Sequence, residues 1–227
     1  MAPDEFRLRA RYRKGGRLRF LSHLEVARAL ERAARRGGMP YAVTKGYTPR
    51  MKVAFGPALP VGTAGEREYL DLWLREYVPA PAALRRLAGA TPEDLAPTEA
   101  RYTRAAEPSL ASALTIARYE AVVDGVVAEE LEAALGELTA SGELAVEHKG
   151  KTKVFDLARS LPEEVRVKAD GGRSVVTLTT RMGPEGSLRP EVLLSAAFDV
   201  AGIRDAPVSV TRTDVLMEEE GGWARPL

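Results

Sequence analysis

The chain has 227 residues, 45% apolar and 29% charged, the composition of a folded globular protein with room for one or two cored domains. It contains no cysteine, which excludes a disulfide framework, a thiolate zinc site, a cysteine nucleophile and a cysteine-ligated iron–sulfur cluster; two histidines, His23 and His148, argue against an imidazole metal cage and leave only oxygen-ligand magnesium sites open. The net charge of +1 hides a division: residues 1–56 hold 14 Lys/Arg against 4 Asp/Glu and the remainder 19 against 28, so a basic head precedes an acidic body, the usual footprint of a polyanion partner.

Phe6, Leu8, Ala10 and Tyr12 alternate with Arg7, Arg9, Arg11 and Arg13, the period of a strand with one buried and one cationic face. Gly15-Gly16 reads as a turn or bulge, after which Leu18 and Phe20 resume the pattern beside Arg17 and Arg19. Ser22-His23-Leu24-Glu25 has capping-box spacing and predicts a helix beginning there and ending at Gly37-Gly38. Leu24, Ala27, Leu30 and Ala34 form its expected apolar stripe, and Arg28, Arg32, Arg35 and Arg36 a basic ridge. Met39 to Val43 reads as a short strand, Lys45 to Lys52 as a glycine- and proline-bearing loop, and Glu68 to Leu74 as a strand with Leu70, Leu72 and Leu74 on its core face. A helix over Pro79–Ala88 and a strand within Leu95–Arg104 complete a β-α-β-β-α-β order.

A second round follows Pro108. Leu114–Val123 reads as a strand, Ala128–Leu138 as an amphipathic helix, and Leu144–Phe155 as extended chain broken by a Lys149-Gly150-Lys151 turn. Val165–Ala169 and Ser174–Arg181 flank Asp170-Gly171-Gly172 as a hairpin, Pro190–Val200 is helical, and Val208–Met217 is a last strand. The expected fold class is therefore α+β, two ferredoxin-like (split βαβ) units in tandem, over residues 1–105 and 114–217. Residues 105–113 read as a linker and residues 218–227 as a frayed tail. No apolar run approaches the roughly 18 residues of a membrane span, and the N-terminus lacks a secretory signal, which points to the cytoplasm.

His23, first in its helix, lies beside free amides at a positive helix end, a position suited to a general base or a phosphate contact, or simply to packing at a helix start. Lys45, Arg50 and Lys52 flank Tyr47 on the loop, combining point charge, planar guanidinium and a ring on which a base can stack. With Arg17, Arg19, His23, Arg28 and Arg32 they make the expected RNA-binding set. No Walker-type glycine-lysine pattern supports a nucleotide cradle. Glu66, Glu68 and Asp71 follow the basic segment; Glu68 and Asp71 fall on opposite strand faces and read as neutralising nearby arginines rather than as a catalytic pair. Lys149, Lys151 and Lys153 alternate, on one face if their strand is unbroken, as a second basic patch or a solvated strand face. Arg189 and Arg212 read as salt-bridge candidates.

The segments Phe20-Leu21-Ser22-His23-Leu24-Glu25, Gly38-Met39-Pro40, Lys45-Gly46-Tyr47-Thr48-Pro49-Arg50 and Phe55-Gly56-Pro57-Ala58-Leu59-Pro60-Val61-Gly62 resemble the radical-SAM-linked family, a bacterial domain found beside or fused after a radical-SAM protein. Lys151–Leu157, Leu188–Glu191 and Thr211–Asp214 look similar to its later motifs. Where that family commonly has SHLD and a phenylalanine-histidine pair, this chain has Glu25 and Tyr47-Thr48, which removes the second histidine of a two-histidine mechanism. The resemblance implies a radical-SAM partner and a genomic neighbourhood of ribonuclease and ribosomal-protein genes, but no catalytic residue. Without cysteines, the chain leaves cluster chemistry to that partner.

The first expectation is thus an RNA-binding accessory protein that presents structured RNA, rRNA or tRNA, to a radical-SAM partner, with no catalysis or cofactor of its own. One rival is a metal-independent endoribonuclease reminiscent of CRISPR repeat-processing nucleases, with His23 as base and Lys45, Arg50 or Lys52 stabilising the phosphorane. The C-terminal glycine-rich signature of those nucleases is absent from the sequence. The other rival is a protein–protein adaptor.

Overall fold

Two separate apolar cores organise the chain, one built from residues between Phe6 and Tyr102 and the other from residues between Ala117 and Val210. The computed structural model describes residues 5–104, 106–148, 150–183 and 186–227, the side chain of His148 excepted. Expectations that fall on Lys149, on the His148 side chain and on residues 1–4 and 105 lie outside it. Contacts divide the chain into one unit of residues 1–114 and 217–227 and another of residues 115–216. Both are mixed α+β with mostly antiparallel strands, and no described helix is long and apolar enough to cross a membrane.

In the first unit β1 (Phe6–Lys14) leads through a 3-10 turn (Gly16–Phe20) to α1 (His23–Arg36). Then come β2 (Val53–Phe55), β3 (Ala64–Leu74), α2 (Ala80–Gly89), β4 (Pro97–Tyr102) and the single turn α3 (Leu110–Ala113). The strands lie in the order β4-β1-β3-β2, each pair antiparallel. Leu8, Ala10, Leu70 and Leu72 join Val26, Leu30 and Ala34 of α1 and Ala83 and Leu87 of α2 in its core.

The alternation expected to resume after Gly15-Gly16 does not. Gly16 adopts φ +48°, a conformation open to glycine, and a Cβ there would collide with the Asp94 carboxylate. The chain leaves the sheet at that point and Leu18 and Phe20 enter the 3-10 turn. The capping box forms as the spacing predicts: Ser22 accepts from the Glu25 amide, and Glu25 accepts from the Ser22 amide at 2.8 Å. The buried stripe is Val26, Leu30, Ala33 and Ala34 rather than one starting at Leu24, which is 65% exposed. Both stripes satisfy helical spacing; α1 is rotated so that its first turn faces outward. Met39–Val43 makes only isolated bridges, Tyr41 to Leu74 and Val43 to Met51, and the second paired strand is β2.

The second unit runs β5 (Leu114–Asp124), α4 (Ala128–Ala140), β6 (Glu143–His148), β7 (Lys151–Asp156), α5 (Leu157–Ser160), β8 (Arg166–Asp170), β9 (Arg173–Arg181), α6 (Pro190–Ala201) and β10 (Val208–Glu219). Its main strands lie in the order β10-β5-β9-β8, while β6 and β7 pair only with each other. Gly171 and Gly172, at φ +55° and +85°, form the two-residue turn joining β8 to β9, as Asp170-Gly171-Gly172 predicts. The expected alignment of Lys149, Lys151 and Lys153 on one strand fails, because the strand is interrupted: β6 ends at His148 and β7 starts at Lys151, with Gly150 at φ +73° between them.

The expected linker and tail are both anchored in the first unit. Leu110 is fully buried, and Glu107 is gripped by Arg101 at 2.8 and 3.0 Å. β11 (Gly222–Ala224) pairs with Met217–Glu219, and Arg101 donates to the Pro226 carbonyl at 2.7 Å. Arg101 contributes to both anchors, and apolar periodicity carries no sign of those hydrogen bonds.

Candidate nucleic-acid interface

The arginines of β1 are not the open cationic face that their alternation predicts. Arg9 is 1% exposed and makes a two-pronged contact to Asp71 at 2.7 and 2.9 Å, with Glu107 at 3.6 Å. Arg11 pairs with Glu99, Arg13 with Glu93 and Asp94, and Arg7 bonds Thr103 and the Glu107 carbonyl. Carboxylates from β3, from β4 and from the segments before and after β4 neutralise the row, as expected for Asp71; Glu68 is buried and Glu66 exposed. The signal that β1 would be neutralised lay in those distant acids, which only pairing of the strands brings opposite.

What remains basic in this unit lies along a different line. Arg17, Arg28, Arg32, Lys45 and Arg50 are exposed, and none of their side chains makes an ion pair with a described residue. Arg19 stacks its guanidinium 4.9 Å from the centre of the Phe20 ring. Arg35 is engaged by Glu31 and lies over Tyr41, and Arg36 donates to the Ala90 carbonyl, so the expected ridge of α1 is reduced to Arg28 and Arg32. Lys52 is half-buried, pairs with Glu5 and stands 5.2 Å from the centre of the Trp73 ring, which takes it out of the open set.

Thr44 to Arg50 close a small hairpin. The Thr44 amide donates to the Arg50 carbonyl at 2.8 Å and the Arg50 amide to the Thr44 hydroxyl at 3.1 Å. Every residue from Val43 to Arg50 is exposed and Tyr47 entirely so, with Lys45 and Arg50 on either side of it in sequence. Tyr47 covers no core.

The expected residues do not form one patch. The hairpin is anchored near Trp73, where the Ala42 amide donates to the Trp73 carbonyl, beside the Phe6 end of β1. The 3-10 turn bearing Arg17 and Arg19 follows Lys14, at the other end of the same ladder, about 27 Å away at 3.4 Å per residue. α1, which lies between the turn and the hairpin in sequence, carries Arg28 and Arg32 exposed. The Gly62 amide donates to the Arg19 carbonyl at 2.9 Å, and the His23 ring meets Phe55 edge-on at 5.6 Å. This brings Phe20–Glu25 and Phe55–Gly62 together.

Phe20, Leu24 and Val61 are exposed, 58%, 65% and 62%, although strand alternation and the helical stripe predict Phe20 and Leu24 to be buried. His23 is half-buried. The Ser22 hydroxyl and amide hold the Glu25 carboxyl below its usual range, and the charge of Arg28 adds to this. Among the described residues no cluster of three or more His, Asp or Glu is arranged to hold a metal ion. In the second unit a groove of about 470 Å³ includes Arg118, Arg166, Thr177 and Thr179, but Glu163 engages Arg118 and Thr179 within it. Arg212 is buried and Arg189 exposed.

The family described as an uncharacterized protein conserved in bacteria (DUF2344) matches residues 7–190. None of the curated proteins matches the chain. Among solved structures, a chain from "Crystal Structure of a Cbf5-Nop10-Gar1 Complex" is similar at 13% identity and a TM-score of 0.51, with 94% of this chain and 50% of that one covered. This chain therefore spans half the length of the one it resembles, and at that identity the likeness is one of fold.

Proposed function

The chain belongs to DUF2344, a family of uncharacterized proteins conserved in bacteria, and from that premise we propose that it is an RNA-binding accessory protein. Its first unit holds structured RNA, rRNA or tRNA, for a separate radical-SAM enzyme. The observation that carries this reading is the residue of charge after internal pairing. The arginines of β1 are engaged by acids, yet Arg17, Arg28, Arg32, Lys45 and Arg50 stay exposed in a chain whose net charge is only +1. Exposed cations without acidic partners gain by displacing the counterions of a polyanion.

Tyr47 between Lys45 and Arg50 adds a ring on which an unpaired base stacks, so the hairpin meets a loop or bulge while α1 follows phosphates. The strand orders β4-β1-β3-β2 and β10-β5-β9-β8 support reading each unit as a split βαβ, ferredoxin-like module. The radical-SAM partner rests on the resemblance of Phe20–Glu25 and Phe55–Gly62. These two segments meet through His23 and Phe55, and the exposed apolar side chains they carry, Phe20, Leu24 and Val61, are what we propose that partner covers.

The double variant Lys45→Ala, Arg50→Ala tests the reading. It removes two cations from an exposed hairpin and no buried contact. The slope of log K against log salt for labelled total RNA falls by about 1.5, at 0.7 to 0.9 per phosphate, while Lys52→Ala moves it little. Equal slopes for wild type and the double variant would remove the hairpin from the interface.

A further inference from the structure

The second unit carries seventeen carboxylates against twelve Lys and Arg, and yet three of the seven lysines in the whole chain fall within its residues 149–153. We infer that the β6–β7 ribbon is a second RNA-contacting element, one that grips backbone phosphates through Lys151 and Lys153. This rests on the RNA-binding reading above and extends it to the other unit.

The register sets the chemistry of each face. Residues directly opposite one another in an antiparallel pair share a face. Leu144 lies opposite Phe155 and Val146 opposite Lys153, so Leu144, Val146, Lys151, Lys153 and Phe155 share one side. The other side carries Glu143, Ala145, Glu147, Thr152, Val154 and Asp156. At the base of the first side Leu144, Val146 and Phe155 pack against the core of the unit, while toward the tip Lys151 and Lys153 are exposed. The ribbon is thus anchored by its apolar base and presents cations from one face of its tip and carboxylates from the other. Such a sign difference admits a phosphate backbone from one direction only.

Lys153 is held in place. Its ammonium lies 4.5 Å from the centre of the Phe155 ring, and a Cβ at position 186 would come within 3.2 Å of Nζ. Gly186, at φ +91°, therefore leaves the space that this ammonium fills. Phe155 is half-buried beneath the Lys153 stem, so the ribbon offers no open ring for stacking. Its contacts are with phosphate rather than base edges, and its contribution does not depend on sequence. The hairpin carrying Tyr47 and the ribbon then divide the work, one stacking a base and the other reading backbone.

The test compares wild type with Lys151→Gln, Lys153→Gln, which removes both charges and leaves long side chains to cover Phe155. Binding of labelled structured RNA is measured from 50 to 300 mM salt, and the urea midpoint is taken as a check that the ribbon stays folded. The expected result is a salt slope shallower by about 1.5 with an unchanged urea midpoint, and restoration by Lys151→Arg, Lys153→Arg. The loss is equal on RNAs of different sequence. A slope matching wild type, while Lys45→Ala, Arg50→Ala still lowers it, would overturn the ribbon inference alone. A wild type that binds no RNA at all would overturn the reading on which it rests.

Discussion

Asp71→Asn is the perturbation that separates structural charge from binding charge. Arg9 and Asp71 are each 1% exposed at the side chain and joined at 2.7 and 2.9 Å in the middle of the β1–β3 ladder. The substitution keeps the volume and removes the charge, leaving the Arg9 guanidinium with Glu107 at 3.6 Å and the Pro108 carbonyl at 3.3 Å. Breaking a buried pair by losing one partner costs about 3 to 5 kcal/mol, and these two remaining contacts place this site at about 3. With a urea m-value of about 2 to 3 kcal/mol/M, the midpoint for the first unit falls by about 1 M. The double variant Arg9→Met, Asp71→Leu removes both charges and recovers most of that loss, since well-packed apolar replacements of buried pairs are often neutral. Its RNA salt slope equals that of wild type, because Arg9 neutralises Asp71 and no phosphate. A midpoint shift under about 0.3 M for Asp71→Asn, or a double variant with a shallower RNA slope, would refute the assignment of Arg9 to the interior.

Three further outcomes follow from the same geometry. Hydrogen bonds from Arg101 hold the Glu107 carboxyl at about 2 against an ordinary 4.5. Its folded value is depressed, so the clamp contributes fully above about pH 4.5 and is lost as pH falls through 2; Glu107→Gln lowers stability at pH 6 by about 2 kcal/mol at this partly exposed group, read as a lower urea midpoint, and the difference from wild type vanishes below about pH 2. Gly37→Ala places a Cβ 2.7 Å from the Arg86 carbonyl oxygen, which backbone cannot yield, so the end of α1 and α2 must part at a cost of about 1 to 3 kcal/mol by thermal unfolding. Its neighbour Gly38, at φ +62° with nothing within 4 Å, costs about 1 kcal/mol as alanine, and that from backbone strain alone.

Local signals were legible wherever they were sufficient. Ser22 and Glu25 fix the start of α1 by themselves, and Gly171-Gly172 fixes a hairpin, because each motif satisfies its own hydrogen bonds or dihedral angles within four residues. The alternation of β1 gave the strand but not its charge state, since Asp71, Glu99 and Glu93 are 62 or more residues from the arginines they meet. Leu24 shows the same limit: two helical stripes fit α1, and only packing against β1 and β3 selects the one through Val26. At the candidate interface the exposed loop was readable from glycine, proline and charge, whereas the removal of Lys52 by Glu5 and Trp73 and the separation of the loop from Arg17 and Arg19 depend on tertiary placement.

The most direct measurement is binding of the purified chain to labelled total RNA across a salt series, with the same samples run on a denaturing gel in the absence of added metal. Five exposed cations on the first unit together with Lys151 and Lys153 of the ribbon, each engaging a phosphate, predict a slope of log K against log salt of about −5.5, with the RNA recovered intact. A slope near zero would contradict the RNA interface and leave the protein–protein adaptor. Discrete cleavage abolished by His23→Ala would contradict the presenting role and make the chain itself the nuclease.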